Sequence, residues 1–272
     1  MTLLHAFLLG IVQGLTEFIP VSSTAHLLIV QQLLGLPSNG KMFSFLVLVQ
    51  MGTVLALLAY FWRDIWQMAR AFILGLLHKR PFENLQARLG WLVLIATLPA
   101  LAAGYLLKDV VQTMFGEPLT QAGVRLLMSA ALLALVEYFG HHTRTLESAS
   151  WLDALMVGLF QVLALFPGAS RSGTTIAGGI ARGFDRPSAA RFAFLISVPI
   201  LLAAGAYQTV KVIELPGTHA FLPYLLAGFI SAAIVGWLAI KWLMGYLNKH
   251  SLCIFSIYCA VVGVVCLAPL FV

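Results

Sequence analysis

The sequence predicts an all-α integral membrane protein with about six transmembrane helices plus two re-entrant helix pairs in an inverted-topology repeat. Hydrophobic residues make up 61% of the chain and charged residues only 10%, against about 45–50% and 25% in soluble domains. The mean hydropathy is +0.95. Two polar stretches break otherwise apolar runs, which indicates the re-entrant pairs. The 272 residues then form a single membrane domain, with repeat halves at about 1–140 and 150–272.

The first half opens with two short apolar runs, residues 3–19 and 24–36, separated by Pro20 and two serines. Each run is shorter than the ~20 residues that cross a bilayer, and Glu17 interrupts the first. We therefore expect two half-helices that enter and return on the same side, covered by protein or a wet cavity. Three full spans are expected to follow, at residues 43–62, 89–107 and 122–139. A basic loop joins the first span to the second, and a polar segment at 108–117 joins the second to the third.

The second half repeats this plan with two short runs, residues 152–167 and 174–183. Three full spans are expected after them, at about 188–207, 221–243 and 251–271. An odd number of crossings in each half turns the second half over. This plan predicts an inverted repeat whose two broken elements meet near the midplane of the membrane.

Aligned residues support the repeat at a shift of about 147–148 positions. Gly10 matches Gly158 and Gln13 matches Gln161, and with one gap Ser23 matches Ser170. The pattern indicates an internal duplication.

Orientation follows from the distribution of Lys and Arg. The N-terminal side is assigned four of them and the opposite side eleven, with Arg171 left inside the expected site. The positive-inside rule makes the more basic side cytoplasmic, so both termini are expected outside. The net charge of +6 is then a loop bias, and we expect no nucleic-acid partner.

The first polar stretch, residues 13–26, places ionisable groups at membrane depth. A lone carboxylate such as Glu17 costs several kcal/mol in hydrocarbon, so it is expected to be paired, bound to a metal or facing a polar cavity. Gln13 lies four residues earlier on the same helical face, as a positioning group or a neutral metal ligand. His26 follows Ser23 by three residues and could act as a base or an acid.

Hydroxyls follow Pro20 at Ser22, Ser23 and Thr24. Each could simply cap the second half-helix, but a helix N-terminus is also an anion site. The second polar stretch is a turn that leads into another helix and consists of Phe166, Pro167, Gly168, Ala169, Ser170, Arg171, Ser172, Gly173, Thr174 and Thr175. Arg171 is a permanent cation with a geometry suited to phosphate or carboxylate, so it is expected to bind an anion or to pair with Glu17.

These groups suit either an enzyme acting on phosphates or an anion transporter, and spacing does not decide between the two. The run from Gly14 to His26 closely resembles the undecaprenyl pyrophosphate phosphatases, the bacitracin-resistance family, and so does the run from Phe166 to Thr175. The resemblance extends over the full length. It implies removal of one phosphate from undecaprenyl diphosphate, giving the monophosphate carrier for peptidoglycan synthesis. The alternative is a transporter or flippase of a lipid phosphate.

The resemblance also assigns roles by position. Glu17, Ser23, His26 and Arg171 correspond to catalytic positions. Glu17 and Gln13 correspond to the family's acidic motif, in which many members carry Glu at the first position, and are the expected ligands of a divalent cation, Mg²⁺ or Ca²⁺. The expected substrate-binding residues are Ser22, Thr24, Ser170, Ser172, Gly173, Thr174 and Thr175.

The expected mechanism has Arg171 and the turn N–H groups holding the diphosphate, Ser23 attacking and His26 handling protons. Direct attack by water is the competing version. The expected partners are a long-chain polyprenyl diphosphate and the bilayer, with a homodimer left open. The resemblance implies the bacterial inner membrane, with the site opening toward the periplasmic face.

Overall fold

The computed structural model describes residues 1–37, 39–107, 118–165, 170–213 and 218–268. The polar segment expected at 108–117 and the residues 166–169 of the second polar stretch lie outside these ranges. Within them the chain is helical, apart from turns and one isolated bridge between Arg144 and Phe184. The prediction of an all-α membrane protein is confirmed.

The described part of the first half contains six α-helices. In chain order they are α1 (Leu3–Phe18), α2 (Ser23–Leu33), α3 (Gly40–Tyr60), α4 (Trp62–Leu77), α5 (Leu85–Leu106) and α6 (Pro118–Phe139).

The second half begins with a short 3₁₀ turn at Leu146–Ser148. Its α-helices are α7 (Trp151–Leu163), α8 (Arg171–Ala181), α9 (Arg186–Ile213), α10 (Thr218–Leu247) and α11 (Cys253–Leu267).

Five helices of the described chain are long and apolar enough to cross a membrane. The spans are Gly40–Tyr60, Leu85–Leu106, Leu119–Phe139, Arg186–Val210 and Leu222–Leu247. They match five of the six expected spans. The sixth, α11, has 15 described residues, and the residues beyond 268 are outside the described part of the chain.

The helices beside the two polar stretches are short. The first pair, α1 and α2, has 16 and 11 residues, and the second pair, α7 and α8, has 13 and 11. At 1.5 Å per residue the longest of them reaches only about 24 Å, less than the ~30 Å of a hydrocarbon core. These lengths suit half-helices. The inverted orientation of the two halves stays a prediction.

One expectation about a connection was wrong. The segment after the first span was expected to be a basic loop, but its first part is α4, a helix of 16 residues. Its inner face packs on α5, where Phe72 and Met68 contact Gly90. Trp62 and Trp66 stack on the outer surface, 59% and 55% exposed. Helices with one packed face and exposed aromatic and basic residues are typical of the membrane–water interface.

Small residues bring α1 close to α10. A methyl group added at Gly10 would lie 2.3 Å from the carbonyl oxygen of Gly228 and 2.0 Å from Ser231 Oγ. In the other half, a methyl group at Gly158 on α7 would lie 2.5 Å from the carbonyl oxygen of Ala96 on α5. Such backbone approach is the usual way that helices associate in membranes. Each first half-helix, α1 or α7, is thereby held against a long span of the opposite half.

A buried ion cluster fixes the first turn of α7. The Asp153 carboxylate has no exposed surface and accepts hydrogen bonds from Arg144 at 2.8 and 3.1 Å and from Arg182 at 2.6 Å. Burial alone would raise the pKa of Asp153, but the hydrogen bonds from Arg144, Ser150 and Arg182 hold that pKa well below its usual range. Asp153 therefore stays ionised and ties the start of α7 to the end of α8.

Replacing Gly10 by alanine is expected to destabilise the protein by about 1–3 kcal/mol, the usual cost of overpacking, because the α1 and α10 backbones must separate. Gly245→Ala is the matched control: it lies on α10 and a methyl group there meets nothing within 4 Å. That change should be neutral or stabilising by up to about 1 kcal/mol. Thermal unfolding in detergent measures both. Equal melting temperatures for the two variants would contradict the close packing.

Candidate active site

The end of α1 presents two polar side chains on one buried face. Gln13 and Glu17 are 2% and 4% exposed, and the Gln13 Nε2 group donates to Glu17 Oε2 over 2.8 Å. The helix ends because Pro20 cannot continue its hydrogen-bond ladder. Ser22 then adopts a left-handed backbone with φ of +67°, a conformation that costs a non-glycine residue about 1–3 kcal/mol. This turn delivers Ser23 at the first position of α2.

Glu17 accepts four hydrogen bonds, two on each carboxylate oxygen. Oε2 accepts from Gln13 and from the Ser23 hydroxyl, each over 2.8 Å. Oε1 accepts from Gln50 Nε2 over 2.8 Å and from Arg171 Nη2 over 2.6 Å. The partners come from α1, α2, α3 and α8, so one carboxylate joins four helices. This is how the chain keeps a charge inside the membrane.

The second polar stretch meets the first at this point. Ser170 caps α8 by accepting from the Gly173 N–H, and its own N–H donates to Ser129 Oγ on α6. The Ser172 hydroxyl donates to the carbonyl of Ile19 over 3.3 Å. Glu17 and Arg171 form the ion pair that the sequence offered as one of two options for Arg171, with side-chain exposures of 2% and 19%.

Ser23 and His26 are not joined as expected. The Ser23 hydroxyl donates to Glu17, which makes Glu17 its nearest base. His26 Nδ1 lies 2.9 Å from the carbonyl oxygen of Ser22, and His26 Nε2 lies 2.8 Å from the hydroxyl of Tyr258 on α11. The imidazole is thus part of the turn and reaches away from Ser23.

The expected substrate-binding residues fall into two groups. Ser22, Ser170, Ser172, Thr174 and Thr175 are 1–4% exposed, and Gly173 is buried as well. The hydroxyls of Thr174 and Thr175 both donate to the carbonyl of Arg171, so they stabilise the first turn of α8. Thr24 is exposed at the start of α2, where a ligand can reach it.

Three residues in and around the site were not expected from the sequence. Gln50 is a lone amide in an apolar span, and that contrast could have marked it. Ser129 and Tyr258 carry no local signal, because hydroxyl side chains are common in membrane helices and only the packing of α6 and α11 brings these two to the site.

The side chains around Glu17 offer a divalent cation one carboxylate and one amide oxygen, from Glu17 and Gln13. No group of three or more His, Cys, Asp or Glu side chains lies together in the described part of the chain. Mg²⁺, however, is commonly bound by one or two carboxylates together with waters and substrate phosphates. Glu17 can supply the carboxylate and Gln13 an amide oxygen, if the N–H donors now on Glu17 turn to the substrate.

The arrangement suits a negatively charged ligand. The N-termini of α2 and α8 both start beside Glu17, and helix N-termini attract anions through their N–H groups and dipole. Arg171 adds a permanent positive charge with geometry suited to phosphate. Fold and site together define a multi-pass membrane protein with a buried polar cluster built between two pairs of short helices.

Comparison with known proteins gives the family. The family described as "Bacitracin resistance protein BacA" matches residues 6–265. The undecaprenyl-diphosphatase of Chlorobium phaeovibrioides is 42% identical over 278 residues, covering 98% of this chain and 96% of the relative. Proteins of the same name from Thermomicrobium roseum and Myxococcus xanthus are also 42% identical, over 275 and 270 residues, covering 98% and 99% of this chain and 98% and 90% of the relatives. The chain belongs to this family, and the resemblance found in its two motifs is confirmed.

Removing one member of the Glu17–Arg171 pair is expected to cost up to about 3–5 kcal/mol, because the other charge stays buried without its partner. Glu17→Gln and Arg171→Met should each lower the melting temperature in detergent. The double variant should recover most of the loss, since replacing a buried pair by uncharged groups is often neutral.

The control is Arg80→Met, because the Arg80–Glu83 pair is exposed (71% and 53%) and such pairs contribute little. Additive losses in the double variant of Glu17 and Arg171 would contradict a direct pair.

Proposed function

We propose that this protein hydrolyses undecaprenyl diphosphate, or a similar polyprenyl diphosphate, to the monophosphate carrier lipid and inorganic phosphate. The single observation that carries the proposal is the convergence of Arg171 and the Ser23 hydroxyl on Glu17. A phosphate-binding cation, a nucleophile and a base then lie within one hydrogen-bond network. The transporter alternative is not favoured, because the relatives reported above are named as diphosphatases.

The diphosphate binds to the positively charged groups of the site, Arg171 and the N-termini of α2 and α8. The diphosphate replaces Glu17 as the partner of Arg171, and the N–H groups at the starts of α2 and α8 hold further phosphate oxygens. Phosphate and carboxylate compete for the same guanidinium, so substrate binding releases Glu17 Oε1 from its ion pair. Positioning and charge stabilisation of this kind supply most of the catalysis in phosphoryl transfer.

The Ser23 hydroxyl is the proposed nucleophile. Its oxygen attacks the terminal phosphorus, the bond from that phosphorus to the bridging oxygen breaks, and the polyprenyl monophosphate leaves with the bridging electrons. The 2.8 Å hydrogen bond from Ser23 to Glu17 supports Glu17, rather than His26, as the acceptor of the serine proton. Water then cleaves the phosphoserine, which releases inorganic phosphate and restores Ser23.

A divalent cation is proposed as the cofactor, held by Glu17 and Gln13 together with substrate oxygens. When bound, it offsets negative charge on the diphosphate. Gln13 is a neutral ligand, so most of the protein's binding charge comes from Glu17.

The bacterial inner membrane is the proposed location, with both termini outside and the site opening toward the periplasmic face. The distribution of Lys and Arg supports this orientation. The prenyl chain would then lie among the apolar helices, while its diphosphate enters between α2 and α8.

Replacing Ser23 by alanine is expected to reduce phosphate release by more than about 100-fold, as expected for loss of a nucleophile. The assay uses purified protein in detergent with a polyprenyl diphosphate, with Mg²⁺ and with chelator, and acid quenching of labelled substrate should trap phosphoserine on the wild type. Thr209→Ala is the control, since that hydroxyl only donates to the carbonyl of Gly205 in its own helix. Full turnover by Ser23→Ala would contradict Ser23 as the nucleophile and would favour direct attack of water on the phosphorus.

The orientation predicts which sites face the outside of intact cells. After replacement of the natural cysteines, Thr2→Cys should react with a membrane-impermeant maleimide in intact cells. Lys79→Cys, beyond α4 on the basic side, should react only after the membrane is permeabilised. The opposite labelling pattern would invert the topology.

A further inference from the structure

Tyr258 reaches the candidate site from the last helix of the chain. Its hydroxyl lies 2.8 Å from His26 Nε2, and the planes of the two rings are nearly parallel, with 7° between them and 5.6 Å between the ring centroids. The phenol is 44% exposed. Its position 232 residues from His26 means that the contact depends entirely on how α11 packs.

The hydrogen bonds of His26 fix its tautomer. The Ser22 carbonyl oxygen can only accept, so His26 Nδ1 must carry the hydrogen in their 2.9 Å contact. In the neutral imidazole Nε2 is then the acceptor, and the Tyr258 hydroxyl donates to it. The hydrogen bond made by one ring nitrogen of a histidine commonly determines which of the two nitrogens carries the hydrogen.

Neighbouring contacts hold α11 in register against the first turn. The next residue, Cys259, is buried with its thiol 3.9 Å from the carbonyl oxygen of Pro20. One turn earlier, the Ser256 hydroxyl donates to the carbonyl of Ala130 on α6 over 2.7 Å. The helix that carries Tyr258 is therefore fixed against the turn by Cys259 and against α6 by Ser256.

The contacts form a chain that ends at the proposed nucleophile. Tyr258 donates to His26, His26 donates to the Ser22 carbonyl, and Ser22 is the left-handed residue that directly precedes Ser23. The Ser22 carbonyl accepts a second hydrogen bond from the His26 backbone N–H, over 3.3 Å. A strained residue persists only when its surroundings determine its conformation, and these bonds do so from one side.

We propose that Tyr258 is a positioning residue for the phosphatase reaction, which acts through His26 to hold the Ser22–Ser23 turn in its reactive geometry. The inference rests on the proposed function and adds a residue that touches neither phosphate nor Ser23. His26 then works as a bridge between α11 and the turn: the Ser22 carbonyl sets its tautomer, and the Tyr258 hydroxyl donates to the nitrogen left as acceptor.

The test is a double-mutant cycle with Tyr258→Phe and His26→Ala, measured as phosphate release from polyprenyl diphosphate by purified protein. Tyr258→Phe keeps the ring and removes the hydroxyl, so kcat should fall about 10-fold, the equivalent of one hydrogen bond, with KM little changed. In the His26→Ala background the same change should have no further effect. Equal fold-losses in both backgrounds, or wild-type kcat for Tyr258→Phe, would overturn the proposal.

Tyr246→Phe is the matched control, because Tyr246 packs against Trp242 and Phe255 away from His26; its kcat should equal that of the wild type. A second readout does not need activity. The ¹⁵N chemical shifts of the His26 ring, assigned with His26→Ala, should report a hydrogen on Nδ1 in wild type and a changed Nε2 environment in Tyr258→Phe. Unchanged shifts would overturn the contact, whereas a wild type that releases no phosphate but shows the expected shifts would refute the proposed function alone.

Discussion

The ion pair between Glu17 and Arg171 is the interaction on which the rest of the site depends. A carboxylate at membrane depth is costly unless paired, and here it accepts four hydrogen bonds from α1, α2, α3 and α8. The same donors that neutralise the charge also fix the geometry of the turn. Stability and chemistry therefore use one set of contacts, and the two half-helix pairs cannot separate without exposing a charge to hydrocarbon.

Close helix packing makes this arrangement possible. Gly10 lets α1 approach α10 to backbone contact, and Gly158 does the same for α7 and α5. At the opposite end of α7, Asp153 holds the segment that leads toward Arg171. The half-helices α1 and α7 are thus anchored, and the break between α1 and α2 is enclosed by protein, as membrane depth requires, because Pro20, Val21 and Ser22 are buried.

Much of the fold could be predicted from the sequence, because the length of an apolar run directly limits what crosses a bilayer. The helix α4 was missed, since its basic residues suggested a loop while Ile65, Met68 and Phe72 already had helical spacing. In the site, the pairing of Glu17 with Arg171 was expected, because buried opposite charges have few other solutions. The turning of His26 toward Tyr258 was not, since that contact depends on tertiary packing and not on spacing along the chain.

The sequence separation of the central pair has a consequence for synthesis. Arg171 follows Glu17 by 154 residues, so at about 5–20 residues per second Arg171 is synthesised about 8–30 s after Glu17. Gln13 and Ser23 lie within six residues of it and are available from the start. These nearby donors let the nascent first half shelter a charge among lipids until the second half arrives, so the polar groups that shape the finished site also serve its insertion into the membrane.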